Sequence, residues 1–207
     1  MEKQKLRGVL RGLMTGVTGL LCLVSPFALY GASSKESSKS KNSSMVSWKE
    51  FHSVAGKCKV TFPDSPEHVS ENLRMPEGGY ELKYDAYISS MDQQTVFMLL
   101  IAQYPDFVDS SYAQMSLESF LNGILTHNNQ NQLIFADLIL INGNPGMDFF
   151  IRTGGVYFKG RAIMVKNSLY LMAMECEIKN YDEVHFKNFV ESFKLLEDDT
   201  IKTTRNK

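Results

Sequence analysis

The segment from Gln132 to Ile178 constrains the fold most. Four strand-length apolar runs follow one another there, with only turn residues between them. "QLIFADLILI" closes on "NGNPG", "MDFFIRT" on Gly154-Gly155, "VYFKGRAIMV" on Asn167-Ser168, and "LYLMAMECEI" near Asn180. Connections this short leave no room for a crossover, and Gly-Gly suits the tight turns of hairpins. The four runs are therefore expected to pair as an antiparallel meander.

Other elements build around it. "KCKVTFP" alternates, placing Cys58, Val60 and Phe62 on one side, and stops at Pro63, which cannot donate to a sheet ladder. "GYELKYDAYI" sets Tyr80, Leu82, Tyr84, Ala86 and Ile88 on one face against Glu81, Lys83, Asp85 and Tyr87, the pattern of a half-buried strand. "TVFMLLIAQY" is nearly continuous apolar and reads as a central strand covered on both faces. Between these strands and the meander the period changes: Met115, Leu117, Phe120, Leu121, Ile124 and Leu125 recur at helical spacing, with Ser110 or Ser111 as cap. A second helix is expected over "NYDEVHFKNFVESFKLL", with an Asn180/Glu183 capping box and a stripe of Val184, Phe189, Val190 and Phe193. The expected class is α+β: a single antiparallel sheet with a four-strand C-terminal meander, packed by two main helices.

The N-terminus speaks to location. Lys3, Lys5, Arg7 and Arg11 precede an uncharged run from Gly12 to Ser34. About 20 apolar residues suffice to span a bilayer, and the basic flank would stay on the cytoplasmic side. Residues 1–32 are thus read as a signal peptide or a transmembrane anchor. Gly31, Ala32 and Ser33 suit cleavage, while the length of the run suits retention. Leu21 before Cys22 does not fit a lipoprotein signal, so Cys22 is read as one more apolar residue of this segment. The Ser- and Lys-rich residues 33–47 cannot bury a core and read as a flexible linker. The globular domain is expected over residues 48–196, on the outer, periplasmic side of the membrane, and residues 197–207 as a disordered tail.

Several words within the domain are similar to those of a known group. "VTFPDSP", "INGNPGMDFF", "KGRAIMVKNSLYLM" and "FKNFVESFKLL" resemble the PsbP-like fold, which includes the photosystem II extrinsic subunit and bacterial envelope proteins of the DcrB type. The resemblance covers about residues 48–196. It implies an α/β/α sandwich and a non-enzymatic accessory or binding role outside the cytoplasm, and it places no catalytic or binding residue on this chain.

The search for chemistry is consistent with that role. His52, His68, His127 and His185 show no metal-binding spacing. No nucleophile elbow or phosphate loop is present, and "DEVH" (residues 182–185) reads as acids favoured at a helix start. A formal net charge of −1 gives no reason to expect nucleic acid as a partner. Arg152, Lys159, Arg161 and Lys166 cluster around one hairpin, a candidate basic patch for an anionic partner if they share an outward face. Tyr80, Tyr84, Tyr87, Phe149, Phe150, Tyr157 and Phe158 are core residues or the lining of a ligand cleft. Cys58 and Cys176 each share a face with apolar residues, leaving two alternatives: a disulfide or two separately buried thiols. No cofactor or metal site is expected. The chain reads as an exported, non-catalytic envelope protein, held to the membrane by its N-terminal segment and acting through contact with another protein. The alternative is a binder of a small apolar ligand or lipid between sheet and helix.

Overall fold

The computed structural model describes residues 47–75, 80–91 and 94–196. The expected export segment, Cys22, the linker as far as residue 46 and the C-terminal tail lie outside the described residues. Among the described residues no helix is long and apolar enough to cross a membrane.

The strands are β1 (Lys49–Ser53), β2 (Cys58–Phe62), β3 (Glu67–Met75), β4 (Tyr80–Met91), β5 (Thr95–Gln103), β6 (Asn131–Ile141), β7 (Asn144–Thr153), β8 (Val156–Val165), β9 (Ser168–Glu177) and β10 (Lys194–Leu195). Helix α1 (Ala113–His127) lies between β5 and β6, and α2 (Glu183–Ser192) between β9 and β10. The meander forms as its turns dictate, with β6, β7, β8 and β9 each antiparallel to the next. Asn142 and Gly143, at φ 51° and 79°, make the β6–β7 turn. Positive φ at both central residues matches the twist of a tight hairpin.

A correction concerns the sheet. There are two: seven strands in the order β3-β4-β5-β9-β8-β7-β6, and three in the order β1-β2-β10. The expected β2 is a strand with Cys58, Val60 and Phe62 fully buried, but it belongs to the small sheet. Sequence pattern could not separate the sheets, because β10 is two residues long and β1, "KEFHS", has no clean alternation. The expected continuous strand is β5, flanked by β4 and β9 and covered on both faces.

Two cores result. Leu82, Tyr84, Leu100, Phe149 and Leu171 pack under α1 through Leu117, Phe120, Leu121 and Ile124. On the other face Phe97, Leu99 and Met172 meet Cys58, Val60 and Phe62 of the small sheet and Phe186, Phe189 and Val190 of α2. The layers are thus helix, large sheet, and a mixed layer of small sheet and helix.

Helix starts differ from expectation. Asp109, rather than Ser110 or Ser111, caps a 3-10 turn (Ser110–Tyr112) that leads into α1, and Met115 is 55% exposed. Asp182 caps α2 by accepting from the Val184 N–H at 2.8 Å, in place of an Asn180/Glu183 box. Starting at Glu183 turns Val184 outward, 61% exposed, and brings Phe186 into the core instead.

Gly160 of β8 sits directly opposite Phe149 of β7. A Cβ at Gly160 would lie 2.4 Å from the Phe149 ring, which is fully buried and cannot retreat without opening the first core. Gly160→Ala should therefore destabilise the full chain by about 1–3 kcal/mol in chemical denaturation. Gly155→Ala, where nothing lies within 4 Å, should leave the midpoint almost unchanged. Equal midpoints for the two variants would contradict the packing described.

Candidate functional site

β6 is the feature that the core does not absorb. It pairs with β7 alone and ends the large sheet. Opposite Ile151, Met147 and Pro145 of β7 stand Leu133, Leu138 and Leu140. A pair directly opposed across strands points to one face, so these three leucines lie on the α1 side. They are nonetheless 44%, 50% and 78% exposed, although α1 packs against β6, β7 and β8. Ile134, at an irregularity of register between Leu133 and Phe135, is 49% exposed. The opposite edge differs in kind. β3, "EHVSENLRM", carries Glu67, His68, Glu71 and Arg74, whereas Asp137 is the one charged residue of β6, "NQLIFADLILI". Charges on an edge discourage pairing with another chain; a long apolar edge invites it.

The four cations do not make a free basic patch. Arg152, Lys159 and Arg161 share the α2 side of the sheet. Arg161 donates twice to Asp148, its opposite neighbour on β7, at 2.7 Å each. Asp148 is the partner that sequence reasoning missed, though the antiparallel register could have supplied it. Lys159 donates to both Glu183 oxygens, at 2.9 and 2.6 Å, and to the Tyr181 hydroxyl at 3.1 Å. The Phe186, Phe150, Phe135 and Tyr181 rings surround its ammonium at 4.9 to 5.8 Å. Burial opposes ionisation of Glu183, yet the hydrogen bonds from Lys159 and Tyr181 keep its carboxyl below the usual range. Arg152 donates to the Gly154 carbonyl, and Lys166 occupies the β8–β9 turn at φ 55°. Two of the four cations are thus neutralised, one of them inside an aromatic cage that fastens α2 to β8.

Cys58 and Cys176 are both free and fully buried in the second core. Tyr170 of β9 donates from its hydroxyl to the Gly56 carbonyl, beside Cys58. Cys176 lies six residues further along β9, about 20 Å of extended strand, well beyond bridging reach. Burial pushes the Cys58 thiol up to about 12 and, with the Glu175 carboxyl adding to it, the Cys176 thiol up to about 11. Neither has thiolate character at neutral pH.

The aromatics pack on one another. Phe149 lies 5.7 Å from Phe158 and 6.4 Å from Phe120 in the first core, with Tyr84 buried beside them. Phe150, Tyr157 and Tyr181 pack on one another beside the Lys159 cage, and Tyr87 stacks on His68 at 4.4 Å. The Tyr80 side chain lies outside the described residues. The histidines stand on separate elements: His52 with Glu50, His68 with Asp85, His185 with Asp182, and His127 at the end of α1. One acid went unnoticed in the sequence: Glu175 of β9, facing the α1 side between Val96 and Phe158, with one carboxyl oxygen lacking a hydrogen-bond partner. Burial pushes it up to about 8.

No protein-family model matches the chain, and no curated protein does. Solved structures do. Cyanobacterial PsbP (CyanoP) from Synechocystis sp. PCC 6803 is 12% identical with a TM-score of 0.52, covering 76% of this chain and 98% of that one. A crystal structure from Bacteroides thetaiotaomicron VPI-5482 is 8% identical with a TM-score of 0.38, covering 72% and 49%. The protein of unknown function PA94 from Pseudomonas aeruginosa, a putative regulator, is 11% identical with a TM-score of 0.32, covering 64% and 85%. The first of these shows that the chain has a PsbP-like fold, as the sequence resemblance implied. At such identity the likeness is one of fold alone.

Glu175 leads to a pH prediction. Its carboxyl ionises near 4.5 in an unfolded chain and near 8 in the folded one. Below about 4.5 both states hold the proton; between about 4.5 and 8 the unfolded chain releases it first, so folding stability is lost across that window. Glu175→Gln should remove this loss. Its melting temperature should gain on that of the native chain as pH rises through the window, and stay level with it below. Parallel melting curves in a pH series would show that Glu175 does not carry the effect.

Proposed function

We propose that this is an exported, non-catalytic envelope protein that acts through protein–protein contact, and that the contact lies on β6. The observation that carries the reading is the inequality of the two sheet edges. β3 is guarded by charges, while β6 leaves Leu133, Leu138 and Leu140 open on its α1 side. Export is inferred from the basic start and the uncharged run from Gly12 to Ser34. The PsbP-like fold is compatible with such a role. A ligand cleft between sheet and helix has less support, because the aromatics that would line it fill the two cores or cage Lys159. The absence of catalysis is inferred from thiols held protonated and from histidines dispersed over separate elements.

Two measurements on the full chain in bacterial cells test this. Protease added to spheroplasts should digest residues 48–196; protection until the inner membrane is broken would sink the export reading. A photoreactive amino acid at position 140 should give a covalent adduct with a polypeptide, and one at position 72 on β3 should give much less. Labelling of lipid alone, or equal labelling at both positions, would count against protein contact at β6.

A further inference from the structure

We infer that the occupant of the β6 edge is a second copy of this chain, paired antiparallel about a twofold axis through Leu138, so that two seven-stranded sheets become one. This rests on the reading of β6 as a contact strand and adds the identity of the partner.

The geometry selects both the symmetry and the register. A twofold axis perpendicular to the sheet makes the two β6 strands antiparallel and keeps both α1 helices on one face. Opposed residues must then point to the same side, so the axis passes through a residue rather than between two. Four positions are available. An axis at Ala136 runs into the irregularity between Leu133 and Phe135 after one residue on either side. An axis at Asp137 sets two carboxylates directly opposite, about 5 Å apart, where like charges repel. An axis at Ile139 leaves only residues 137–141 paired. An axis at Leu138 uses the whole regular stretch 135–141. Phe135 then faces Ile141, Ala136 faces Leu140, and Leu138 meets its own copy. Asp137 is set against Ile139, and the two Asp137 carboxylates stand about 8 Å apart, where salt screens them.

Several observations agree on this occupant. The paired stretch, "FADLILI", is apolar apart from Asp137, so in this register the strand meets its own copy apolar against apolar everywhere except where Asp137 faces Ile139. Leu138 and Leu140, the most exposed leucines of the strand, fall at and beside the axis, where the twofold brings the most apolar surface together. The assembly also closes. Each outer edge is then a charged β3, which discourages further strand addition, so pairing stops at two copies.

The test uses the full chain carrying Cys22→Ser, since Cys58 and Cys176 are buried. At position 138 the two Cα atoms of the proposed dimer lie about 5 Å apart, within disulfide range. Leu138→Cys should therefore form a covalent dimer under mild oxidation, and Asn72→Cys on β3 should not. Sedimentation should give twice the chain mass for the native protein. Leu138→Lys, which places two ammonium groups opposite each other, should halve that mass with far-UV circular dichroism unchanged. A native chain that sediments as a monomer overturns the inference, as does a dimer that survives Leu138→Lys while Leu138→Cys stays reduced. If the chain is monomeric and the label at position 140 joins a different polypeptide, the second copy is wrong and the contact reading stands. If position 140 labels no polypeptide at all, both fall.

Discussion

A sheet whose middle strands are apolar on both faces has to be covered twice, and most of this molecule follows from that requirement. β5 and β9 lie side by side with Leu100 opposite Leu171 on one face and Leu99 opposite Met172 on the other. Every one of these four is fully buried. Neither face can be left to water, since each buried aliphatic side chain is worth about 1.5–3 kcal/mol. The connection from β5 to β6 supplies α1 for one face. The two ends of the domain supply the other, with β1 and β2 arriving before the large sheet and α2 and β10 after it. β10 then pairs with β2, so the mixed layer joins chain segments more than 130 residues apart. The N- and C-terminal parts of the domain thus share one layer.

These covers are narrower than the sheet they protect. α1 packs against β8, β7 and β6 and still leaves Leu133, Leu138 and Leu140 exposed, so each edge strand has to be managed by its own composition. β3 is managed: Glu71 accepts from the Tyr84 hydroxyl, His68 pairs with Asp85, and Glu67 adds a further charge at the start of the strand. β6 is not, although its α2 side is partly closed by Phe135 at one end and Ile141 at the other. What stays open is the row on the α1 side. An edge with one charged residue in an eleven-residue strand, opposite an edge with four charged or titratable ones, is a compositional asymmetry that folding of the single chain does not require.

The meander, the double-sided burial of β5 and the existence of both helices were legible because each rests on local signals: short turns, a continuous apolar run, and helical periodicity. The partition into two sheets was not, because it depends on β10, two residues without a pattern of their own, meeting a strand far away in sequence. The exposure of β6 was hidden for the opposite reason. "QLIFADLILI" reads like a strand to be buried, and only the strand order shows it at a margin. Of the four cations, Arg152, Lys159 and Arg161 share one face while Lys166 stands at the far end of β8. The pairing of Arg161 and Lys159 depends on Asp148 across the hairpin and on Glu183 in the following helix. The Lys159 partner lies 24 residues away on a different element, which no pattern along β8 could reveal.

That Lys159 cluster also explains where the cover ends. An ammonium with so little solvent, held by Glu183 and Tyr181 among four rings, adds little net stability, because desolvation offsets much of the attraction. Its consequence is positional. Removing Glu183 would leave the Lys159 ammonium poorly solvated, so α2 cannot slide along the sheet without breaking the pair, and the first turn of α2 is fixed beside β8. Phe150 and Phe135 complete the cage from β7 and β6, which carries the closed region to the start of the edge strand. On the α1 side no ion pair to the sheet is seen among the described residues; the Asn131 amide of β6 donates to the Ile124 carbonyl at 2.7 Å, and the rest of the contact is apolar. The side of β6 beneath the ionic clamp is therefore partly closed, and the side facing α1 keeps its leucines in solvent.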